Sequence, residues 1–153
     1  MKKIQIQDLK PGLVTGVEVQ LPSKTDTYKE TYFEWTATQL ISKFNSNEIS
    51  GGVLKAWHHV PVFTEIETHV DTEMFYYISG VALMIFVDVI DGKADIATAQ
   101  IVRIQPDTQI TVQAGKGHFV AVAEGSEPIY AVVVSPKMDA PRLALPEAVE
   151  GGC

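Results

Sequence analysis

The sequence predicts an all-β protein whose strands close into a sandwich or small barrel, and two observations predict it. From residue 53 onward, short runs rich in β-branched and aromatic residues alternate with turn residues such as Asp91-Gly92 and Gly125-Ser126. No helical pattern long enough to connect parallel strands lies between these runs, which argues against an α/β fold. The predicted strands span residues 60–63, 67–78, 82–89, 97–104, 109–112, 119–123 and 129–134.

The chain length of 153 residues suits one domain, 1–153, in which three segments are distinguished. Residues 53–135 are predicted to form the barrel core. Residues 1–52 are predicted to form a mixed N-terminal arm, and residues 136–153 a closing strap that could end in a short helix.

The N-terminal arm carries two competing patterns. The spacing of the apolar residues Trp35, Leu40 and Phe44 predicts a short helix over residues 34–44. An irregular strand pair around residues 28–35 is the alternative, and the sequence does not choose between the two.

The charge balance bears on the class of partner. The formal net charge is -7 and the pI is about 5.0, whereas a nucleic-acid-binding protein needs a cationic face to replace phosphate counterions. A small anionic substrate stays open, because a pocket can be locally basic on an acidic protein. We therefore expect a small-molecule substrate and no nucleic-acid partner.

Two features concern the compartment. No run approaches the ~20 apolar residues that a membrane-spanning helix needs, and Gln5 and Gln7 interrupt the apolar core of any signal peptide. The only cysteine, Cys153, cannot form an intrachain disulfide and is expected to be an exposed thiol at a frayed end. We expect a cytoplasmic protein without a membrane partner.

The first group of candidate site residues is Glu67, His69 and Glu73. In one extended strand, side chains alternate, so these three would point to the same face. Burying two carboxylates and an imidazole beside aromatic residues costs several kcal/mol unless a partner compensates. A divalent cation is such a partner, since imidazole nitrogen and carboxylate oxygen suit zinc, manganese, iron or nickel.

A second element is the turn Gly115-Lys116-Gly117-His118, which precedes an apolar run. Glycines permit a tight turn and so can place the next residue accurately. His118 would be the first residue of a strand, on the face shared with Val120 and Val122. The sequence therefore predicts a metal site built from Glu67, His69, Glu73 and His118.

Together these spacings resemble the two motifs of the cupin superfamily. The first family motif is Gly, five residues, His-x-His, three or four residues, Glu, six residues, Gly; here Glu67-x-His69 is followed by Glu73 and Gly80. In the second motif, Gly115 and His118 match. The resemblance implies a cupin-type double-stranded β-helix (jelly-roll) barrel with a mixed N-terminal segment, and a bound divalent metal ion.

Within cupins, the sequence is most similar to the ureidoglycolate lyase branch, which carries Glu-x-His in the first motif and Gly-x-x-His in the second. This resemblance implies conversion of ureidoglycolate to glyoxylate and urea in purine catabolism. It departs at Gly117, where a bulky aromatic residue is typical, and at Glu73, where glutamine is common. Because cupins are commonly dimeric, it also implies a homodimer.

The expected roles follow from this resemblance together with general chemistry. Glu73 is assigned to the metal, and Glu67 either to the metal or to general-base catalysis. Lys116 is a candidate for binding the substrate carboxylate, and Tyr77 for lining the pocket and donating a hydrogen bond. His58 and His59 are adjacent, so at most one of them points inward from a strand.

Two other functions stay open at this point. The chain could be a non-catalytic cupin that binds a small molecule, or another metal cupin enzyme such as an isomerase or a dioxygenase. Fold alone does not choose among these functions.

Overall fold

The computed structural model describes residues 1–23 and 27–152, and every regular element within them is a strand. The expectation for Cys153 falls outside the described residues. The strands are β1 (Lys2–Asp8), β2 (Val17–Gln20), β3 (Thr27–Lys29), β4 (Glu34–Thr36), β5 (Ile49–Ala56), β6 (Val62–Glu67), β7 (Glu73–Ser79), β8 (Ala82–Ile90), β9 (Lys93–Ile104), β10 (Gln109–Val112), β11 (Gly117–His118), β12 (Val122–Ala123), β13 (Ile129–Pro136) and β14 (Arg142–Gly152).

The strands form two large sheets and confirm the all-β barrel class that the sequence predicts. The seven-stranded sheet has the order β11-β6-β14-β1-β9-β8-β12, and β11 also pairs with β8, which closes six of its strands into a ring. The five-stranded sheet has the order β2-β10-β7-β13-β5. Strands from the arm, the barrel core and the closing strap all contribute to these sheets. No helix in the described part of the chain is long and apolar enough to cross a membrane.

Strand β8 contains most of the longest apolar run of the sequence, residues 81–87, and this run is buried on both faces. Its alternate residues Met84 and Phe86 belong to a core between the two sheets. The intervening Leu83 and Ile85 belong to a second core inside the closed ring. Because successive strand residues point to opposite faces, a strand between two cores must be apolar throughout. Each fully buried large side chain of this kind stabilises the fold by about 1.5–3 kcal/mol.

The helix predicted over residues 34–44 is wrong, and the alternative strand pair is confirmed. Strands β3 and β4 form a separate antiparallel hairpin, and residues 37–48 contain no helix or strand. Polar contacts rather than a helical apolar face hold this segment, since the Ser42 hydroxyl lies 2.6 Å from the Thr111 hydroxyl. Burial between 41 and 46 alternates residue by residue, as in extended chain.

The short helix that could end the strap is also wrong, because β14 runs from Arg142 to Gly152 between β6 and β1. Its pairing with β6 shifts register between Ala144 and Val149, and Pro146 lies within this irregularity. A proline in a central strand lacks the N–H for the ladder, so it is tolerated at a bulge of this kind.

Candidate metal site

Four side chains named from the sequence meet at one place, although they come from different elements. Glu67 ends β6, Glu73 begins β7, His118 ends β11, and His69 lies in the turn between β6 and β7. The Glu73 Oε2 atom lies 2.9 Å from Nε2 of His118 and 3.3 Å from Nε2 of His69. The Glu67 Oε1 atom lies 3.9 Å and 4.0 Å from the Nε2 atoms of His69 and His118.

The single strand predicted over residues 67–78 is wrong, because the chain leaves the seven-stranded sheet after Glu67 and enters the five-stranded sheet at Glu73. Strand alternation therefore does not bring these residues together. The turn between them, residues 68–72, is stabilised by Asp71, whose carboxylate accepts the backbone N–H of Thr72 at 2.7 Å. Aspartate is common in turns, but the prediction of one continuous strand did not take this signal into account.

The strand predicted over residues 119–123 is confirmed only at its end, where Val122 and Ala123 form β12. Strand β11 ends at His118 and residues 119–121 are not in a strand, so the expected shared face does not exist. Val120 is 40% exposed and Val122 packs in the core of the ring. The ring of His118 instead lies against Phe75 and Phe86, with centroid distances of 6.1 Å and 6.5 Å.

Gly117 allows β11 to lie between β6 and β8. A Cβ atom at this position would be 2.4 Å from Cδ1 of Ile66 and 2.8 Å from the backbone oxygen of Val87. The chain therefore has no room for the bulky aromatic residue that is typical at this position of ureidoglycolate lyases.

We predict that Gly117→Ala lowers the free energy of unfolding by about 1–3 kcal/mol, because the added methyl group overpacks the contact with Val87. Urea unfolding measures the change. Gly125→Ala is the matched control, since a Cβ atom there would meet nothing within 4 Å. Equal stability of the two variants would contradict this packing.

Both histidines present the same ring nitrogen to the carboxylates. Nδ1 of His69 lies 3.2 Å from the carbonyl oxygen of Asp139, and Nδ1 of His118 lies 3.1 Å from that of Lys116. A carbonyl oxygen only accepts, so each Nδ1 carries a proton and donates it. Nε2 is therefore the nitrogen that faces Glu73 in each ring, and in His118 it donates to that carboxylate at 2.9 Å. A divalent ion bound at this place would take the Nε2 lone pair in place of the proton, which is the arrangement of a metal-ligating histidine.

The charges of the site are strongly coupled. Burial raises the pKa of Glu73, but the hydrogen bond from His118 and the 3.3 Å contact with His69 outweigh this and lower the pKa to about 2. Contact with Glu73 raises the pKa of His69 above its usual value, although burial opposes the shift. Without an ion, the histidines therefore favour the ionised form of Glu73.

The low pKa of Glu73 predicts a pH dependence of the ion-free protein. Because the carboxyl is more acidic in the folded state, its contribution to stability is present above about pH 4.5 and is lost as the pH falls through about 2. Between these two pH values, the free energy of unfolding of the wild type should decrease as the pH falls. Glu73→Gln should lack this decrease, because it has no carboxyl group to protonate. A Glu73→Gln curve that parallels the wild type throughout would contradict the coupling.

The donor set fits a divalent metal ion. One ligand atom each from Glu67, His69 and His118 lie within 4.8 Å of one another, and Nε2 of His69 is buried without an aligned hydrogen-bond partner. The His69 and His118 side chains are 8% and 1% exposed, whereas those of Glu67 and Glu73 are 17% and 12% exposed. Imidazole and carboxylate donors of this kind suit zinc, nickel, manganese or iron.

The two other predicted site residues have different partners. Lys116 is buried and its Nζ donates to the Asp88 carboxylate, while its backbone carbonyl accepts from Nδ1 of His118. Tyr77 is fully buried in the core between the sheets, and its hydroxyl donates to Sδ of Met84 at 3.3 Å. Burial raises the pKa of Tyr77, so the phenol stays protonated.

The remaining histidines lie elsewhere. Nδ1 of His58 is 2.9 Å from the carbonyl oxygen of Ala123. His59 lines a cleft of about 400 Å³ together with apolar residues that include Trp57, Phe63 and Phe119. This cleft contains none of the four residues of the candidate metal site.

Comparisons with known proteins report a likeness of fold but no family. No protein-family model and no curated protein matches the sequence. A structure of oxalate decarboxylase from Bacillus subtilis at pH 4.6 is 20% identical with a TM-score of 0.46, over 90% of this chain and 30% of that chain. A second structure of the same enzyme, from work that assigns the EPR fine-structure parameters of its Mn(II) centres, is 23% identical with a TM-score of 0.46.

The second match covers 64% of this chain and 24% of the oxalate decarboxylase chain. The chain thus spans less than a third of the length of the solved structures it is similar to. A likeness of this size carries no argument about activity, which is argued below from the site.

Proposed function

We propose that this chain is a metal-dependent cupin-type enzyme that cleaves a small polar acid, with ureidoglycolate as the substrate and glyoxylate and urea as the products. The observation that carries the proposal is that two imidazoles and two carboxylates converge. Glu73 Oε2 lies 3.3 Å and 2.9 Å from the Nε2 atoms of His69 and His118, and a Glu67 oxygen lies within 4.8 Å of a ring nitrogen of each histidine. The choice of ureidoglycolate is supported by Glu-x-His at 67–69 and Gly-x-x-His at 115–118, the two motifs of that cupin branch.

In this proposal His69, His118 and Glu73 hold the ion. The two Nε2 atoms face the same Glu73 oxygen at 3.3 Å and 2.9 Å, and the carbonyl groups of Asp139 and Lys116 fix the ring orientations. A divalent ion bound there supplies Lewis acidity to a carboxylate or hydroxyl oxygen of the substrate. The hydrogen bonds from Nδ1 of His69 and His118 to these two carbonyl groups also matter, because contacts of this kind to a ligating histidine commonly influence metal affinity.

Glu67 accepts the substrate proton. Its side chain is the most exposed of the four, and its oxygen stands 3.9 Å and 4.0 Å from the imidazole nitrogens rather than in a hydrogen bond. It takes the proton of the substrate hydroxyl, the carbonyl of glyoxylate forms, and the carbon–nitrogen bond breaks. The nitrogen keeps the electron pair of that bond and receives the proton that Glu67 took from the hydroxyl, which releases urea and restores the carboxylate.

The proposal is tested by incubating ion-loaded protein with ureidoglycolate and measuring glyoxylate and urea. We expect both products in equal amounts, with turnover lost when the ion is chelated. Binding of the ion without turnover would contradict the enzyme assignment and favour the small-molecule-binding cupin.

We also propose that the protein is a homodimer, and the exposed β3–β4 hairpin supports this. The hairpin is a separate two-stranded sheet that exposes Tyr28, Tyr32, Phe33 and Trp35, with Tyr32 96% exposed. An isolated hairpin is marginally stable in water, and a cluster of exposed aromatic side chains is typical of an interface.

Sedimentation velocity tests the assembly. The wild type should sediment as twice the chain mass of 16.8 kDa, and Tyr32→Ser/Phe33→Ser should shift it towards the monomer, because the substitution removes two exposed aromatic rings. A monomeric wild type at micromolar concentration would contradict the dimer.

A further inference from the structure

The turn that carries His69 is attached to three other parts of the chain. Its Thr68 N–H donates to the carbonyl of Pro141 at 3.3 Å, and the His69 carbonyl accepts the N–H of Gly115 at 2.8 Å. The second contact joins this turn to the one that precedes His118. The third attachment is the carboxylate of Asp71.

Asp71 is 6% exposed, which is unusual for an aspartate in a turn. Both of its oxygens lie 3.0 Å from the backbone nitrogen of Asn45, and one lies 3.1 Å from that of Ser46. Together with the 2.7 Å contact to Thr72 N–H, three backbone amides converge on one carboxylate. A buried carboxylate is tolerated when charge-assisted hydrogen bonds of this kind satisfy it.

The contacts link two segments that lack regular structure. Residues 37–48 and 68–72 are both outside the strands, so neither is held in place by a ladder of sheet hydrogen bonds. Asp71 lies two residues after His69 and fastens its turn to residues 45 and 46. An amide in its place would present an NH₂ group to backbone N–H donors and lose part of this attachment.

We propose that Asp71 is a positioning residue that fixes the orientation of His69 for ion binding. The inference rests on the proposed metal site, and it adds a residue that lies within the first motif but that the motif does not specify. A ligand whose supporting contacts are removed is held less precisely, and loss of such a contact typically weakens metal binding by 10–100-fold.

The experiment measures Mn²⁺ affinity and the Mn²⁺ EPR spectrum of the full chain. We expect Asp71→Asn to bind the ion about 10–100-fold more weakly than the wild type, with an altered spectrum at saturation. Asp95→Asn is the matched control, because the half-buried Asp95 on β9 also accepts a backbone N–H, that of Ala97, in a solvent-exposed hydrogen bond. The control should bind as the wild type does.

A double-mutant cycle separates positioning from a general effect on folding. If Asp71 acts through His69, the Asp71→Asn substitution should change the affinity less than about twofold in a His69→Ala background. A full additional loss in that background would overturn the inference. Asn45→Pro, which removes the amide shared by both oxygens, replaces Asp71→Asn if the latter does not fold.

The possible failures are distinguishable. If wild type and variants all fail to take up Mn²⁺, Zn²⁺, Ni²⁺ or Fe²⁺, the proposed metal function fails and the inference fails with it. If the wild type binds the ion and folded Asp71→Asn or Asn45→Pro binds it equally well, the proposed function stands and the role of Asp71 is overturned.

Discussion

Replacing His118 with alanine should lower the affinity for a divalent ion by about a hundredfold or more, because it removes a ligand rather than a supporting contact. The His118 side chain is 1% exposed and its Nε2 atom lies 4.0 Å from Oε1 of Glu67. His69 is already in the site, and the other two imidazoles of the described residues, those of His58 and His59, bond to backbone carbonyls elsewhere.

The matched control for His118→Ala is His59→Ala, because His59 is exposed and its Nδ1 contacts the carbonyl of Val60. Titration calorimetry with the same ion measures both variants, and circular dichroism establishes that they are folded. Wild-type affinity in folded His118→Ala would contradict the assignment of this residue as a ligand.

Replacing Glu67 with glutamine should reduce turnover by about 10²–10⁴-fold, the usual contribution of a general base. The amide cannot accept the hydroxyl proton, although it occupies nearly the same volume. Since His69, His118 and Glu73 hold the ion in this account, the variant should still bind it within about tenfold of the wild type. The expected signature is therefore a loss of kcat with the ion retained.

Glu65→Gln controls for the loss of a charge on the same strand. Glu65 lies two residues before Glu67 on β6 and bonds to Arg142 at 2.7 Å. It should keep wild-type turnover. If Glu67→Gln loses the ion as His118→Ala does, Glu67 is a ligand, and the base assignment is wrong.

Much of the barrel could be predicted from the sequence because its strands have a strong local signal. The strand predicted over 109–112 matches β10. The continuous apolar run of β8 is typical of a strand that is buried on both faces, and its residues do lie in two cores. The arm was harder, since Trp35, Leu40 and Phe44 imitate a helical spacing while polar contacts such as Ser42 to Thr111 decide the structure. Contacts of that kind join distant residues and leave no periodic pattern.

The residue types of the candidate site were predictable, but the way they meet was not. One strand was expected to carry Glu67, His69 and Glu73, whereas a turn at Asp71 puts Glu67 and Glu73 in different sheets and leaves His69 between them. The backbone carbonyl groups of Asp139 and Lys116 that orient the histidines have no sequence signature, because every residue carries one. The missing space at Gly117 likewise depends on Ile66 and Val87, which are distant in sequence.

The central claim is that four side chains form a divalent-metal site: Glu67, His69, Glu73 and His118. Elemental analysis of the purified protein tests this claim most directly. The account predicts about one divalent ion per chain, either as purified or after incubation with Mn²⁺, Zn²⁺, Ni²⁺ or Fe²⁺, and loss of that ion in His69→Ala/His118→Ala. A wild type that takes up none of these ions, and a double variant of equal stability, would contradict it.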